Sequence, residues 1–180
     1  MNKNQRFLFL LCSFFVSQAY SSGFALIEQG ASGMGNAFAG GAALAEDATT
    51  VFFNPAGMSR LNQEFVGAGH VIAPSAKFNN RGSATAFGSN LQGNDGSDAG
   101  SASLVPNLYV VTPVSEVMHF GVGIFVPFGL ATQYNDDWVG RYHAVESDLK
   151  TININPSLSY KINRSLALGL GVNLQTADVI

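Results

Sequence analysis

Charge is scarce in this chain. Asp, Glu, Lys and Arg make up 12% of its 180 residues against 47% hydrophobic ones, which leaves little to solvate the surface of a water-soluble domain. Basic residues are the scarcer sign, nine against twelve acidic, and Lys and Arg form no run or patch. That excludes a nucleic-acid surface, which works by neutralising phosphates. Cysteine is almost missing: Cys12 stands alone, so the chain after it has no disulfide framework, no Cys-ligated metal and no Cys nucleophile. A spanning helix is missing too. Val117 to Asn135 has no Asp, Glu, Lys or Arg, but Gly121, Gly123, Pro127 and Gly129 interrupt it, and Phe120, Val122, Ile124 and Val126 recur at a period of two.

What is present begins with an export signal. Lys3 and Arg6 precede the apolar run Phe7 to Val16, and Ala19 and Ser21 supply an A-x-A-like cleavage site. The run is shorter than the roughly 20 residues a spanning helix needs. The pattern predicts a cleaved signal peptide over residues 1–21 and a mature chain starting near Ser22. Cys12 falls inside the leader, without the small preceding residue that a lipidated cysteine requires. Losing Lys3 and Arg6 takes the nine basic residues to seven, against twelve acidic.

From about residue 63 the sequence alternates. In Thr151 to Ile162 one parity holds Ile152, Ile154, Pro156, Leu158, Tyr160 and Ile162, and the other holds Thr151, Asn153, Asn155, Ser157, Ser159 and Lys161. After Asn163 and Arg164, Leu166, Leu168, Leu170, Val172 and Leu174 take one face, which reads as a hairpin. Strands are predicted at about 63–78, 103–112, 118–126, 151–161 and 165–177. The linkers Asn79 to Ala102 and Pro127 to Lys150 are long; Pro113 to Val117 and Ile162 to Arg164 are short. Long connections on one side and short ones on the other are the habit of outer-membrane barrels, and each run approaches the roughly 9–11 residues a tilted membrane strand needs. Lipid offers the backbone no hydrogen-bond partners, so a spanning chain is either helical or a closed barrel, and the period excludes helices. The fold class expected is therefore all-β, a transmembrane antiparallel barrel with its apolar parity toward lipid and its Asn/Ser/Gly/Thr parity toward the lumen. Such barrels use an even number of strands from eight upward. With five runs, the last still in progress near Ile180, the 180 residues are expected to be the first part of a longer barrel.

Residues 22–58 alternate little and are rich in Gly and Ala. Asp47 is placed to cap a short helix over Ala48 to Phe53, which Pro55 ends. The run SGFALIEQGASGMGNAFAGGAALAEDATTVFFNPAGM, Ser22 to Met58, resembles the N-terminal hatch of the outer-membrane long-chain fatty acid transporters, the FadL family. GVGIFVPFGLATQYNDDWVGRYHAVESDLKTININPSLSY, Gly121 to Tyr160, is similar to that family's third and fourth strands and the loop between them. The resemblance implies a fourteen-stranded barrel plugged by a hatch over 22–58, with barrel strands from 59 to 180, which passes hydrophobic molecules into the periplasm. It implies a stiff exit from the hatch at Asn54, Pro55 and Ala56, against the plainer reading of an Asn-Pro turn. It also places the chain start, Ser22, Gly23 and Phe24, near bound ligand in the lumen.

A kink in the third strand that opens the wall toward lipid is the family's second feature, and Val126, Pro127, Phe128 and Gly129 stand there. Proline cannot donate to a ladder and glycine tolerates a bend. The alternative is that Pro127 only ends the strand. Phe125 and Phe128, with Phe24, Phe38, Phe52 and Phe53, are available to line a ligand path or simply to pack. Arg141 is expected either to meet a carboxylate head group or to form a surface ion pair beside Asp136 and Asp137. Trp138 and Tyr142 suit an interfacial girdle.

Other motifs fall short. Gly33 to Gly40 has the wrong spacing for a dinucleotide fingerprint and follows no strand. His70, His119 and His143 lie on separate elements, so no metal or other cofactor is expected. Asn94 to Asp98 reads as a loop tip, and Ser32 lacks the G-x-S-x-G of a lipase. The function expected is passive, hatch-gated transport of long-chain fatty acids by a monomer bathed in outer-membrane lipid and lipopolysaccharide. The alternatives are uptake of aromatic or alkane hydrocarbons, an outer-membrane barrel enzyme of lipase or protease type, and a structural barrel or adhesin.

Overall fold

The alternating runs fold as strands. The computed structural model describes residues 23–180; the expected signal peptide and Ser22 lie outside the described residues. Seven strands form one antiparallel sheet: β1 (Glu64–Ile72), β2 (Ser103–Pro113), β3 (Met118–Phe125), β4 (Gly129–Gln133), β5 (Glu146–Lys161), β6 (Ala167–Gly171) and β7 (Leu174–Val179). The order is β1-β2-β3-β5. β4 continues β3 along one side of β5, and β6 and β7 run in series along the other. This up-and-down path is that of a barrel wall.

The two faces of the sheet are inverted relative to a soluble core. On β5, Thr151, Asn153, Asn155, Ser157 and Ser159 are buried, whereas Ile152, Ile154, Leu158 and Tyr160 are exposed. The polar face is buried because the N-terminal segment, residues 23–63, lies on it. That segment carries short 3-10 turns at Ser32–Asn36 and Pro55–Arg60 and the one-turn helix α1 (Thr50–Phe53). Ala48, Val51 and Met58 from the segment form a cluster with Tyr109, Val111 and Phe125 of the sheet. Glycines on the inward parity make room. A Cβ on Gly121 would stand 2.4 Å from Met58 Sδ, and one on Gly169 would stand 2.2 Å from the Ala56 nitrogen.

α1 begins at Thr50 rather than Ala48, with Thr49 as its cap residue. Asp47 instead folds back on the turn before it. Its carboxylate accepts from Thr49 N–H (2.9 Å), the Thr49 hydroxyl (2.5 Å) and the Ser32 hydroxyl (2.5 Å). Burial alone pushes the Asp47 carboxyl up, but these three donors outweigh it and hold it below its ordinary 3.8.

Strand lengths depart from expectation at three places. β1 ends at Ile72, not near 78, with Pro74 just beyond. β5 starts at Glu146 and pairs with β4, so the expected long linker shrinks to residues 134–145. The fifth run is two strands in one register, Gly171 facing Ser157 and Leu174 facing Ile154. The gap lies opposite Pro156, which accepts from Val172 N–H (3.0 Å) and has no N–H to return.

The two long connections pack on each other. Asn94 bridges Trp138, Gly96 is buried against Tyr134 and Trp138, and Val139 N–H donates to Asn94 carbonyl (2.9 Å). Asn94 to Asp98 is thus an inter-loop seam and not a loop tip. Trp138 stacks on Tyr134 at 3.9 Å between ring centres and meets Phe78 edge-on, so it packs loops together and does not belong to a girdle. No helix among the described residues is long and apolar enough to cross a membrane, which says nothing of strands.

Candidate functional site at the interrupted third strand

Pairing of β3 with β5 runs to Phe125 opposite Asn153, and pairing of β4 with β5 resumes with Gly129 opposite Lys150. Val126, Pro127 and Phe128 therefore face only Thr151 and Ile152. Three residues against two make a bulge, and the extra residue reverses parity: even-numbered side chains point outward before the break, odd-numbered ones after it. Strand pairing to β5 stops at Phe125 and resumes at Gly129, on the far side of Pro127.

On its other side the broken strand has lost β2. Their ladder stops at Leu108 opposite Ile124, so residues 103–107 of β2 have no strand partner there. Two prolines bracket this gap, Pro106 on β2 and Pro127 in the bulge, and neither has an N–H to give. The N-terminal segment takes up part of the vacancy. Leu26 N–H donates to Pro127 carbonyl (2.9 Å), Gly129 N–H to Phe24 carbonyl (3.2 Å), and Ala25 bridges Phe128. Phe24 adopts φ +64°, a left-handed conformation that a bulky side chain resists.

Side chains from β2 anchor the same segment. Asn107 Nδ2 donates to Glu28 carbonyl (2.6 Å), and the Tyr109 hydroxyl to Gln29 Oε1 (2.6 Å), whose Nε2 reaches Leu26 carbonyl (2.8 Å). Across the break, Thr151 Oγ1 accepts from Phe128 N–H (3.0 Å) and donates to Phe128 carbonyl (2.6 Å).

Two pockets meet at the bulge. One, about 490 Å³, lies between β2 and β4; Leu104, Pro106 and Ile124 from the outward face line it together with Phe24, Leu26, Phe125 and Phe128. Its charged lining residues are Asp148 and Lys150, which pair with each other. The other, also about 490 Å³, lies on the inward side between Val51, Phe52 and Pro55 and the amides Asn153, Asn155, Asn173 and Gln175. Leu26, Phe125 and Phe128 line both. The Phe125 ring is fixed from two directions, edge-on by Phe52 at 5.0 Å and stacked by Tyr109 at 5.9 Å.

The break sits at the margin of the apolar band. The outward face of β5 reads Glu146, Asp148, Lys150 and then Ile152, Ile154, Pro156, Leu158 and Tyr160. At about 3.4 Å per residue, 16 residues run roughly 54 Å, more than a bilayer core of about 30 Å even when tilted. The charged end therefore projects past the hydrocarbon, and the bulge lies where it begins.

The remaining expected residues sit elsewhere. Asn54 and Ala56 form the corner at the far end of the inward pocket: Asn54 Oδ1 accepts from Ala56 N–H (3.2 Å), and Nδ2 donates to Ala42 carbonyl (2.9 Å). Pro55 reaches the pocket itself. Gly23 is exposed beside Phe24. Arg141 lines neither pocket and forms no ion pair with Asp136 or Asp137; its guanidinium donates to Gln92 carbonyl (2.7 Å) and Trp138 carbonyl (2.9 Å) and rests on the Tyr142 ring. It ties the loops together. His70 and His119 are buried on separate strands, and no metal-holding group of His, Cys, Asp or Glu occurs among the described residues.

Residues 12–180 match the family described as Outer membrane protein transport protein (OMPP1/FadL/TodX). The chain is 37% identical over 166 residues to Outer membrane protein P1 of Haemophilus influenzae, covering 86% of this chain and 36% of that protein. It is 34% identical over 158 residues to the Long-chain fatty acid transport protein of Escherichia coli K12, covering 87% and 34%. Its fold is similar to the crystal structure of a Pseudomonas aeruginosa FadL homologue, with a TM-score of 0.73 and 25% identity over 88% of this chain and 38% of that one. The chain thus spans about a third of the length of the curated relatives it matches.

Proposed function

The chain belongs to the OMPP1/FadL/TodX family of outer membrane transport proteins, and from that premise we propose that it builds the plug and lateral opening of a passive channel for long-chain fatty acids. Its place is the outer membrane. The observation that carries the reading is the pair of pockets sharing Leu26, Phe125 and Phe128, one on the inward side and one between β2 and β4 with outward-facing lining residues.

Magnitudes favour a sideways exit. Each methylene withdrawn from water gains about 0.8 kcal/mol, so an acyl chain with eight methylenes in an apolar pocket is held by roughly 6 kcal/mol against release into water. Release into lipid forfeits almost none of this, because hydrocarbon replaces hydrocarbon. A wall opening level with the acyl chains therefore lets a tight site empty without an energy source. The path runs from the inward pocket past Phe125 and Phe128, through Val126 to Gly129, to the outer face.

Residues 22–58 act as the hatch. The chain start, Ser22, Gly23 and Phe24, is the movable part; Phe24, in its left-handed conformation, and Leu26 just after it each share one backbone hydrogen bond with the bulge. Asn54, Pro55 and Ala56 are the stiff corner from which the rest hangs. Arg141 serves by holding the loops over the site. The whole works as a monomer in contact with outer-membrane lipid and lipopolysaccharide.

Equilibrium binding to the full-length protein tests the ligand class. The reading expects saturable binding of oleate that competes with other long acyl chains. Binding of toluene or alkanes without oleate binding would move the assignment to hydrocarbon uptake.

A further inference from the structure

We infer that Thr151 is a positioning residue that keeps the wall opening apart, acting through the backbone of Phe128. The inference rests on the reading of that opening as the exit route. A bulge of three residues against two leaves the middle of the break without ladder partners, and a buried N–H or C=O left unpaired is costly. Both polar groups of Phe128 face this problem. Thr151 solves it with one atom: a hydroxyl can donate and accept at once, and Oγ1 does both toward Phe128, at 2.6 and 3.0 Å.

Thr151 is 3% exposed, which leaves bulk solvent little access to the hydroxyl. Its neighbours on the same face do nothing similar. Ser157 bonds within its own strand to Asn155, and the Ser159 hydroxyl is buried without a partner.

The consequence concerns which part moves. With Phe128 held on the β5 side, the bulge itself is kept from shifting toward the free edge of β2 at residues 103–107. The opening is then a fixed feature, and the segment from Phe24 to Leu26 is the element that comes and goes. Without the hydroxyl, Phe128 must recover its hydrogen bonds by straightening the strand, which narrows the opening but leaves the inward pocket in place.

The test uses the full-length protein in outer membranes, with two readouts, the saturated rate of labelled oleate uptake and equilibrium oleate affinity. Thr151→Val is expected to lower the rate on the order of ten-fold, equivalent to ~1.4 kcal/mol, while affinity stays within about two-fold. Thr151→Ser restores the rate, and Ser159→Ala leaves both readouts unchanged. Should Thr151→Val fail to assemble, Thr151→Cys, a weaker donor of similar size, is expected to slow uptake about three-fold. Wild-type uptake by the Val or Cys variant, affinity falling in step with rate, or failure of Ser to restore would each overturn the proposal. Ala131→Trp, which fills the opening, separates the two readings. If it blocks uptake while Thr151→Val does not, the route stands and Thr151 is not its latch. If neither slows uptake, the route is wrong and the latch with it.

Discussion

Asp47 shows what a single side chain does in this fold. Three donors converge on its carboxylate and join the turn at Ser32 to the start of α1. Its folded-state pKa is depressed, so its contribution is fully present above the ordinary 3.8 and is lost as pH falls through the lowered value. Amide exchange at Thr49 and Thr50 in the micelle-held protein should therefore speed up, relative to intrinsic rates, below that range. In Asp47→Asn the extra opening should already be present at neutral pH, on the order of 1 kcal/mol as for a lost cap, with little further change on acidification. Equal protection in both proteins at neutral pH would contradict this. Asp47 was legible in the sequence as a residue that supports the start of a short helix, although α1 starts two residues later than the pattern suggests and Thr49 holds its cap position. Thr151 was not legible. It stands in a parity full of Ser, Asn and Thr, and nothing in that row tells a hydroxyl that bonds a neighbouring strand from one that merely fills the lumen. Arg141 misled for the opposite reason: a charge beside two aspartates suggests an ion pair, but carbonyl oxygens made accessible by the close approach of Gly93 claimed it first.

At the level of elements, the informative feature is the count across the break. Alternation located β2, β3 and most of β5 because each keeps one parity toward a single environment. It failed at β4, since the bulge inserts one residue and the parity reverses, so Gly129 to Gln133 reads as loop when the old parity is continued. The gap opposite Pro156 was hidden in the same way, because a missing N–H affects the partner strand and leaves no trace in the partner's own sequence. The role of Pro106 needed the register of two ladders. Deleting Val126 would make the count two against two and let β3 run into β4 without a break. Uptake by the full-length protein should then fall on the order of ten-fold or more, while membrane assembly is retained, because the ladders on either side of the break are left in place. Undiminished uptake would show that the break is not on the route.

For the molecule as a whole, one statement supports the rest: the apolar face of the sheet looks outward and the polar face looks in upon the N-terminal segment. This much was readable from residue types alone, since period, connection lengths and low charge all pointed the same way. The packing of residues 23–63 against the inward face was not, because a segment rich in Gly and Ala carries no periodicity and is shaped by the glycines it meets at 121 and 169. The most direct test places a nitroxide at Ile154 or at Asn155 in the full-length protein in lipid bilayers and compares collision with oxygen, which concentrates in hydrocarbon, and with a water-soluble nickel complex. The account predicts that Ile154 meets oxygen and not nickel, and that Asn155 is shielded from both until residues 23–63 are displaced. Nickel access at Ile154 together with oxygen access at Asn155 would contradict it.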